Sequence, residues 1–341
     1  MKRLPFSWDI PLTTYNCDIA KYGVMMTNPE AIKSIYTGNV IPYLYLSKSY
    51  DMELGYYCFN YGENEATNDF LADNKPPIII EQIGLNKNEE IPFEEKKVKL
   101  INLIKSIIDD NKYVHGWWDE YYVPRRIFYN NRHFSHEFLF IGYDDVGFYV
   151  VGYDEKSCPN ECTVSFDDFY TAINSIGIDH VFSWEVNDNF KYDISLKHIY
   201  DAMDLYVESK IYNFEKRDYS KYLFGMNAFL KMAEIYEEIN DQTETWVGIR
   251  FFHTFKEHKN LMYKRIKYIY ETYGVEYGDS DLSRLKEISD EADAMYLLCV
   301  KFRLNNNISD ARKIAGHIRY ICQNERDLYP IISSKLKKIT C

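Results

Sequence analysis

The spacing of apolar positions changes character along this chain. Around residues 138–141 and 148–151 apolar, β-branched and aromatic side chains run together, and Asp144-Asp145-Val146-Gly147 between them has turn composition, which predicts a β-hairpin. Val40–Leu46, Ile78–Ile83 and Tyr113–Trp118 read as further strands, and Asp51–Asn60 alternates weakly. Phe93–Asp110 repeats at helical spacing through Val98, Leu100, Ile101, Leu103, Ile104, Ile107 and Ile108. A helix is expected to open at Cys17 behind Asn16, a good N-cap residue, and a short helical piece starts at Ile32. Beyond about residue 190 helical periodicity takes over, in 196–210, 219–239, 243–273, 281–305, 309–323 and 325–338. Asp241 with Glu244, and Ser309, look like helix starts. The pattern predicts an α+β domain over residues 1–190 and an all-helical domain over 191–341. The helical stripes are expected to be core, with a dimer interface or a docking face as their other use.

The hairpin carries candidate chemistry. Pairing about residue 145 sets His136 opposite Asp154, and directly opposed residues have Cβ atoms about 4.5–5.5 Å apart. A carboxylate beside an imidazole fixes its tautomer and prepares it as a base. The competing His133 meets Ser157 in the same register, and Asp144 and Asp145 lie at the hairpin tip. The expected nucleophile is Cys17, where free N–H groups and the dipole of a helix start stabilise a thiolate and face an oxyanion. Taken alone, Cys17 reads as a small buried hydrophobe, and His136 as a satisfied strand histidine.

An early cysteine at a helix start, a much later His136 followed by Gly142-Tyr-Asp-Asp145, and an Asp one hairpin on resemble the papain-like cysteine enzymes. Trp117-Trp118-Asp119-Glu120-Tyr121-Tyr122-Val123-Pro124 ahead of His133-Phe134-Ser135-His136 resembles the butirosin biosynthesis protein H N-terminal domain group, over about residues 10 to 185. The resemblance implies a papain-like fold, a helical part plus an antiparallel sheet. It also implies acyl transfer from a carrier-protein thioester to a small amine through an acyl-cysteine. The catalytic residues it implies are Cys17, His136 and Asp154. Asn16 and Thr14 stand as oxyanion candidates, with Thr13 as a further substitute, and Asp119 and Tyr121 as substrate-binding residues. The donor group is the phosphopantetheine arm of an acyl or peptidyl carrier protein, and no cofactor bound by the protein itself is expected. Papain-like enzymes usually carry an oxyanion-hole Gln about six positions before the cysteine, and here that position is Pro11. The second donor is therefore open. Two other readings stay open beside this one: a cysteine peptidase of the same fold, and a non-catalytic papain-fold binding protein.

Composition narrows the class. A 46% hydrophobic and 17% aromatic chain is not disordered. No stretch reaches the eighteen or so apolar residues of a membrane span, and the first residues lack a signal-peptide core, so a cytoplasmic protein with no membrane partner is expected. A net charge of −12 argues against nucleic acid and suits a cationic acceptor near Asp119, Glu120, Asp144 and Asp145. Carrier docking would use the basic cluster Arg125, Arg126 and Arg132. Seven scattered cysteines are no disulfide framework. Cys158-Pro-Asn-Glu-Cys162 has half a metal site's spacing but no second half, so no metal is expected.

Overall fold

The computed structural model describes residues 1–38, 41–45, 53–57, 76–85, 92–210, 222–240, 248–275 and 280–340. The chain divides into two compact units, residues 1–31 with 73–191 and residues 32–72 with 192–341. It is α+β, with an antiparallel sheet and a helical C-terminal region.

The first unit is built on a seven-stranded sheet. Its main path runs β4 (Ile78–Gly84), β9 (His180–Val186), β5 (Tyr113–Asp119), β6 (Ser135–Tyr143), β7 (Gly147–Tyr153), β8 (Pro159–Ser165), and the short β1 (Lys2–Arg3) also pairs with β6. All these pairs are antiparallel. Alternation along the strands buries Trp118, Phe138, Phe140, Phe148 and Val150. Phe138, Phe140 and Phe148 meet the edge of Phe169 from helix α4 (Phe166–Ser175). Ser165 caps that helix by accepting from the Asp168 N–H at 3.1 Å. Helix α3 (Phe93–Asp109) buries Ile101, Ile104, Ile107 and Ile108, while Val98 stays exposed. Helix α1 (Asn16–Met25) packs on β6 and β7.

The hairpin forms as its composition predicts. Asp144 accepts from the Val146 and Gly147 N–H groups and closes the turn. Leu139 pairs with Val151 and Phe140 with Val150, the register expected from pairing about residue 145, but a bulge between Phe140 and Gly142 shifts the pairs nearer the tip by one residue.

The second unit differs from the expected all-helical domain over 191–341. Strand β2 (Ile41–Tyr45) pairs with β3 (Glu53–Tyr57) and with β10 (Tyr222–Phe224), so residues 32–72 belong to this unit and not to the first. Residues 222–224, read as helix, are strand because β2 offers them a ladder. Helix α2 (Ala31–Thr37) is tied in by the fully buried Arg265, which donates to the Tyr36 carbonyl at 2.6 Å and to that of Gly38. The remaining helices among the described residues are α5 (Leu196–Val207), α6 (Gly225–Glu238), α7 (Ile249–Tyr273), α8 (Ser280–Asn305) and α9 (Ile308–Ile339). The expected break between 323 and 325 is absent, and α9 continues through Pro330. Its cap is Asn307, which accepts from the Ser309 N–H. The expected start at Asp241 and Glu244 lies outside the described residues. Helical stripes from α5 to α9 form one hydrophobic core. No helix among the described residues is long and apolar enough to cross a membrane.

Candidate active site

His136 is the second residue of β6 and stands opposite Trp118 of β5. Its Nδ1 lies 2.7 Å from Oε1 of Glu120, a carboxylate whose side chain is only 4% exposed. Glu120 opens a single 3-10 turn, Glu120–Tyr122, directly after β5, and its N–H donates to the Phe134 carbonyl at 3.0 Å. That bond carries the β5–β6 pairing one step further, which holds Glu120 diagonal to His136 on one face. A carboxylate at Nδ1 keeps the proton there and leaves Nε2 as the acceptor. The imidazole is itself partly open to solvent, with 25% of its side-chain surface exposed.

The start of α1 is keyed into the same end of the sheet. The β6–β7 ladder runs up to Leu139 and Val151 and no further. There the Asn16 Nδ2 donates to the Glu137 carbonyl at 2.6 Å. Across the gap, a Cβ on Gly152 would stand 2.7 Å from Asn16 Oδ1 and 2.8 Å from Arg126 Nη1, so only glycine leaves room for both. Arg126 is buried and donates to the Tyr153 carbonyl at 2.6 Å, and the Tyr153 hydroxyl donates to the Thr13 carbonyl. Gly152→Ala is therefore expected to displace the first turn of α1. An acylation assay should show Cys17 reactivity lowered by about 10²-fold, the usual effect of misplacing a reacting group by 1 Å, with a smaller loss of thermal stability. Unchanged reactivity would show that this keying does not position the cysteine.

Cys17 is the second residue of α1; its sulfur is crowded by protein on most sides, yet the residue keeps exposed surface. Its N–H is among the first-turn donors that a helix cannot satisfy internally. The surroundings oppose the thiolate expected at this helix start. Desolvation by the surrounding protein, then the carboxylates of Asp18 and Glu137, push the thiol up to about 12, against the smaller pull of Lys21 and the Asp18 N–H. At neutral pH the thiol keeps its proton, and a fixed base must remove it as attack begins.

Several expected roles move. Asp154 does not meet His136: its carboxylate accepts from the Lys156 and Cys158 N–H groups, both at 2.9 Å, and from Asn160 Nδ2 at 3.4 Å. It builds the β7–β8 turn, and the Cys158 N–H, partly offset by desolvation, leads in holding it below the usual carboxylate range. Asn16 is not the helix cap. Tyr15 holds that position and its side chain does not cap the helix, while Asn16 is the first helical residue and its amide N–H goes to the Glu137 carbonyl. Thr14 is buried. Asp119 and Glu120, expected to attract an amine, are buried and hold the two histidines instead. His133, set aside on its register with Ser157, has its Nδ1 2.6 Å from Asp119 Oδ2 and stacks on Tyr121 at 4.4 Å. Of the basic cluster, Arg125 and Arg132 are exposed and Arg126 is not. Cys158 is exposed in the β7–β8 turn and Cys162 is buried on β8.

Glu120 is the partner that sequence reasoning missed. The signal was available: Asp119-Glu120 lies at the end of one strand, His133 and His136 at the start of the next, and antiparallel pairing of those strands brings one carboxylate to each imidazole. No family model and no curated protein matches the chain.

Proposed function

We propose that the protein is a cysteine-dependent acyltransferase that forms amides. The observation that carries this reading is the buried Glu120 on Nδ1 of His136, at the strand end to which Asn16 ties the start of the Cys17 helix. Nε2 of His136 accepts the Cys17 proton as the sulfur attacks the acyl carbon of a thioester, the phosphopantetheine arm of a carrier protein being the donor. First-turn N–H groups of α1 face the oxyanion. The pantetheine sulfur leaves with the proton from His136, and an amine then displaces the acyl group from Cys17. In this reading the first unit is a papain-like domain of the butirosin biosynthesis protein H type, cytoplasmic and related in kind to the amide synthase of closthioamide assembly.

A thiol that is protonated at rest suits a thioester donor. Exchange of one thioester for another is nearly balanced, so it demands less of the nucleophile than peptide cleavage does. The test is intact-protein mass spectrometry after incubation with an acyl-loaded carrier. An acyl adduct on Cys17, discharged by added amine and lost in Cys17→Ala, is the expected result. No adduct, with activity surviving Cys17→Ala, would refute the proposal. Peptide cleavage without a thioester would favour the peptidase reading.

A further inference from the structure

The connection from β5 to β6 is a basic stretch in an acidic chain. Residues 121–136 hold Arg125, Arg126 and Arg132 and no aspartate or glutamate, in a chain of net charge −12. Arg126 turns inward to the Tyr153 carbonyl, while Arg125 and Arg132 face solvent. Among the described residues neither of these two pairs with a carboxylate. Both are held outward. The Arg132 guanidinium lies 4.3 Å from the centre of the Phe128 ring and 5.3 Å from that of Phe134, a stacking that fixes its direction and leaves its N–H fork to solvent. Arg125 has a φ of 64°, in the left-handed region that a non-glycine residue rarely adopts. Such a conformation persists where the surroundings impose it, and here the next residue is anchored in the interior. Ile127 and Tyr129, between the two arginines, are exposed as well, so the face carries apolar surface among its charges. It adjoins the candidate site from two sides. Phe134, beside Arg132, meets the His136 ring edge-on at 5.4 Å. Arg126 Nη1 and Asn16 Oδ1, the latter at the start of the Cys17 helix, crowd one point beside Gly152.

A local cluster of unpaired guanidinium groups on a strongly acidic protein selects an acidic partner at that face and turns it away elsewhere, because opposite charges steer the encounter and like charges repel. We propose that the β5–β6 connection, with Arg125 and Arg132 as cationic anchors, docks the protein that delivers the thioester by recognising acidic residues on it; the inference rests on the acyl-cysteine reading. Ile127 and Tyr129 supply the apolar part of the contact. Arg126, an interior residue, takes no part in it. Docking here sets the arm of the partner at the strand end that carries His136 and borders the start of α1.

The test uses the full chain with two donors, acetyl carried on an acyl carrier protein and acetyl-pantetheine, the same thioester without the protein. Intact mass follows acetylation of Cys17 over time. The double variant Arg125→Glu with Arg132→Glu should lose at least about 10-fold in rate at low carrier concentration, through KM more than kcat, since reversing charges at an interface acts on the encounter. Its rate with acetyl-pantetheine should stay within about twofold of the parent, since the free arm needs no docking face. Rising salt should slow the parent's reaction with the carrier, as screening shortens the reach of exposed charges, and should not slow the variant's. Equal use of the carrier by parent and double variant would overturn the assignment, and so would parallel loss with both donors. A duplex oligonucleotide bound by the parent and not by the variant, with carrier kinetics unchanged, would reassign the face to a phosphate backbone. A parent acetylated by acetyl-pantetheine but never by the carrier would overturn the docking face alone; one acetylated by neither would overturn the acyl-cysteine reading with it.

Discussion

Glu120→Gln is expected to slow acylation of Cys17 by about 10²–10⁴-fold, the range over which a positioned base contributes. The change keeps the volume of a buried side chain, so a loss of rate cannot be ascribed to a cavity. What it removes is the charge that fixes Nδ1–H and stabilises His136 when it takes the Cys17 proton. An amide NH2 turned toward Nδ1 would select the opposite tautomer and leave no acceptor for the thiol. The thiol's high proton affinity, with Asp18 and Glu137 opposing its ionisation, makes the reaction depend on that acceptor. Asp154→Ala supplies the contrast. It breaks the turn bonds to the Lys156 and Cys158 N–H groups, costing about 1–2 kcal/mol of stability, and should leave acylation within about twofold. The measurement is the burst rate with an activated ester across both variants. Near-full activity in Glu120→Gln together with an inactive, folded Asp154→Ala would return the orienting role to the hairpin residue.

That contrast also shows where the sequence is readable. Composition and alternation suffice for the hairpin, for Phe93–Asp109 and for most later helices, because their signals are local. Pairing arithmetic even recovers the register at Leu139 and Val151. It fails one step later, since the pairing assumes an unbroken ladder and the ladder ends where Asn16 bonds the Glu137 carbonyl. Nothing near residue 136 announces an asparagine from a helix some 120 positions away. The same non-local character hides the pairing of Tyr222–Phe224 with Ile41–Tyr45, which transfers residues 32–72 to the second unit. The break expected before Glu325 is absent, and α9 runs on through it. Glu325 itself is fully buried against a lysine from another helix.

Removing that lysine is the change with the largest expected effect on stability. Lys259 of α7 and Glu325 of α9 lie 2.8 Å apart with neither side chain exposed. Tyr206 of α5 and Tyr329 of α9 also donate to Glu325, and Lys259 reaches the Tyr206 hydroxyl at 2.9 Å. The ammonium sits 4.2 Å from the centre of the Phe229 ring and 4.6 Å from that of Phe255. Burial pulls Lys259 down from its ordinary value despite the adjoining carboxylate, so the pair already works against desolvation. Lys259→Met fills much of the same volume but strands a carboxylate in the core. The expected loss is about 3–5 kcal/mol, typical of breaking one side of a buried pair. Lys259→Met combined with Glu325→Gln should recover most of it, because a neutral amide accepts from one tyrosine hydroxyl and donates to the other, and no buried charge remains. Urea unfolding followed by far-ultraviolet circular dichroism reads both. If the single variant lost under about 1 kcal/mol, the pair would not be the desolvated charge cluster described. If the double variant were no better than the single one, the cost would lie in lost packing against Phe229 and Phe255 and not in an unpaired charge.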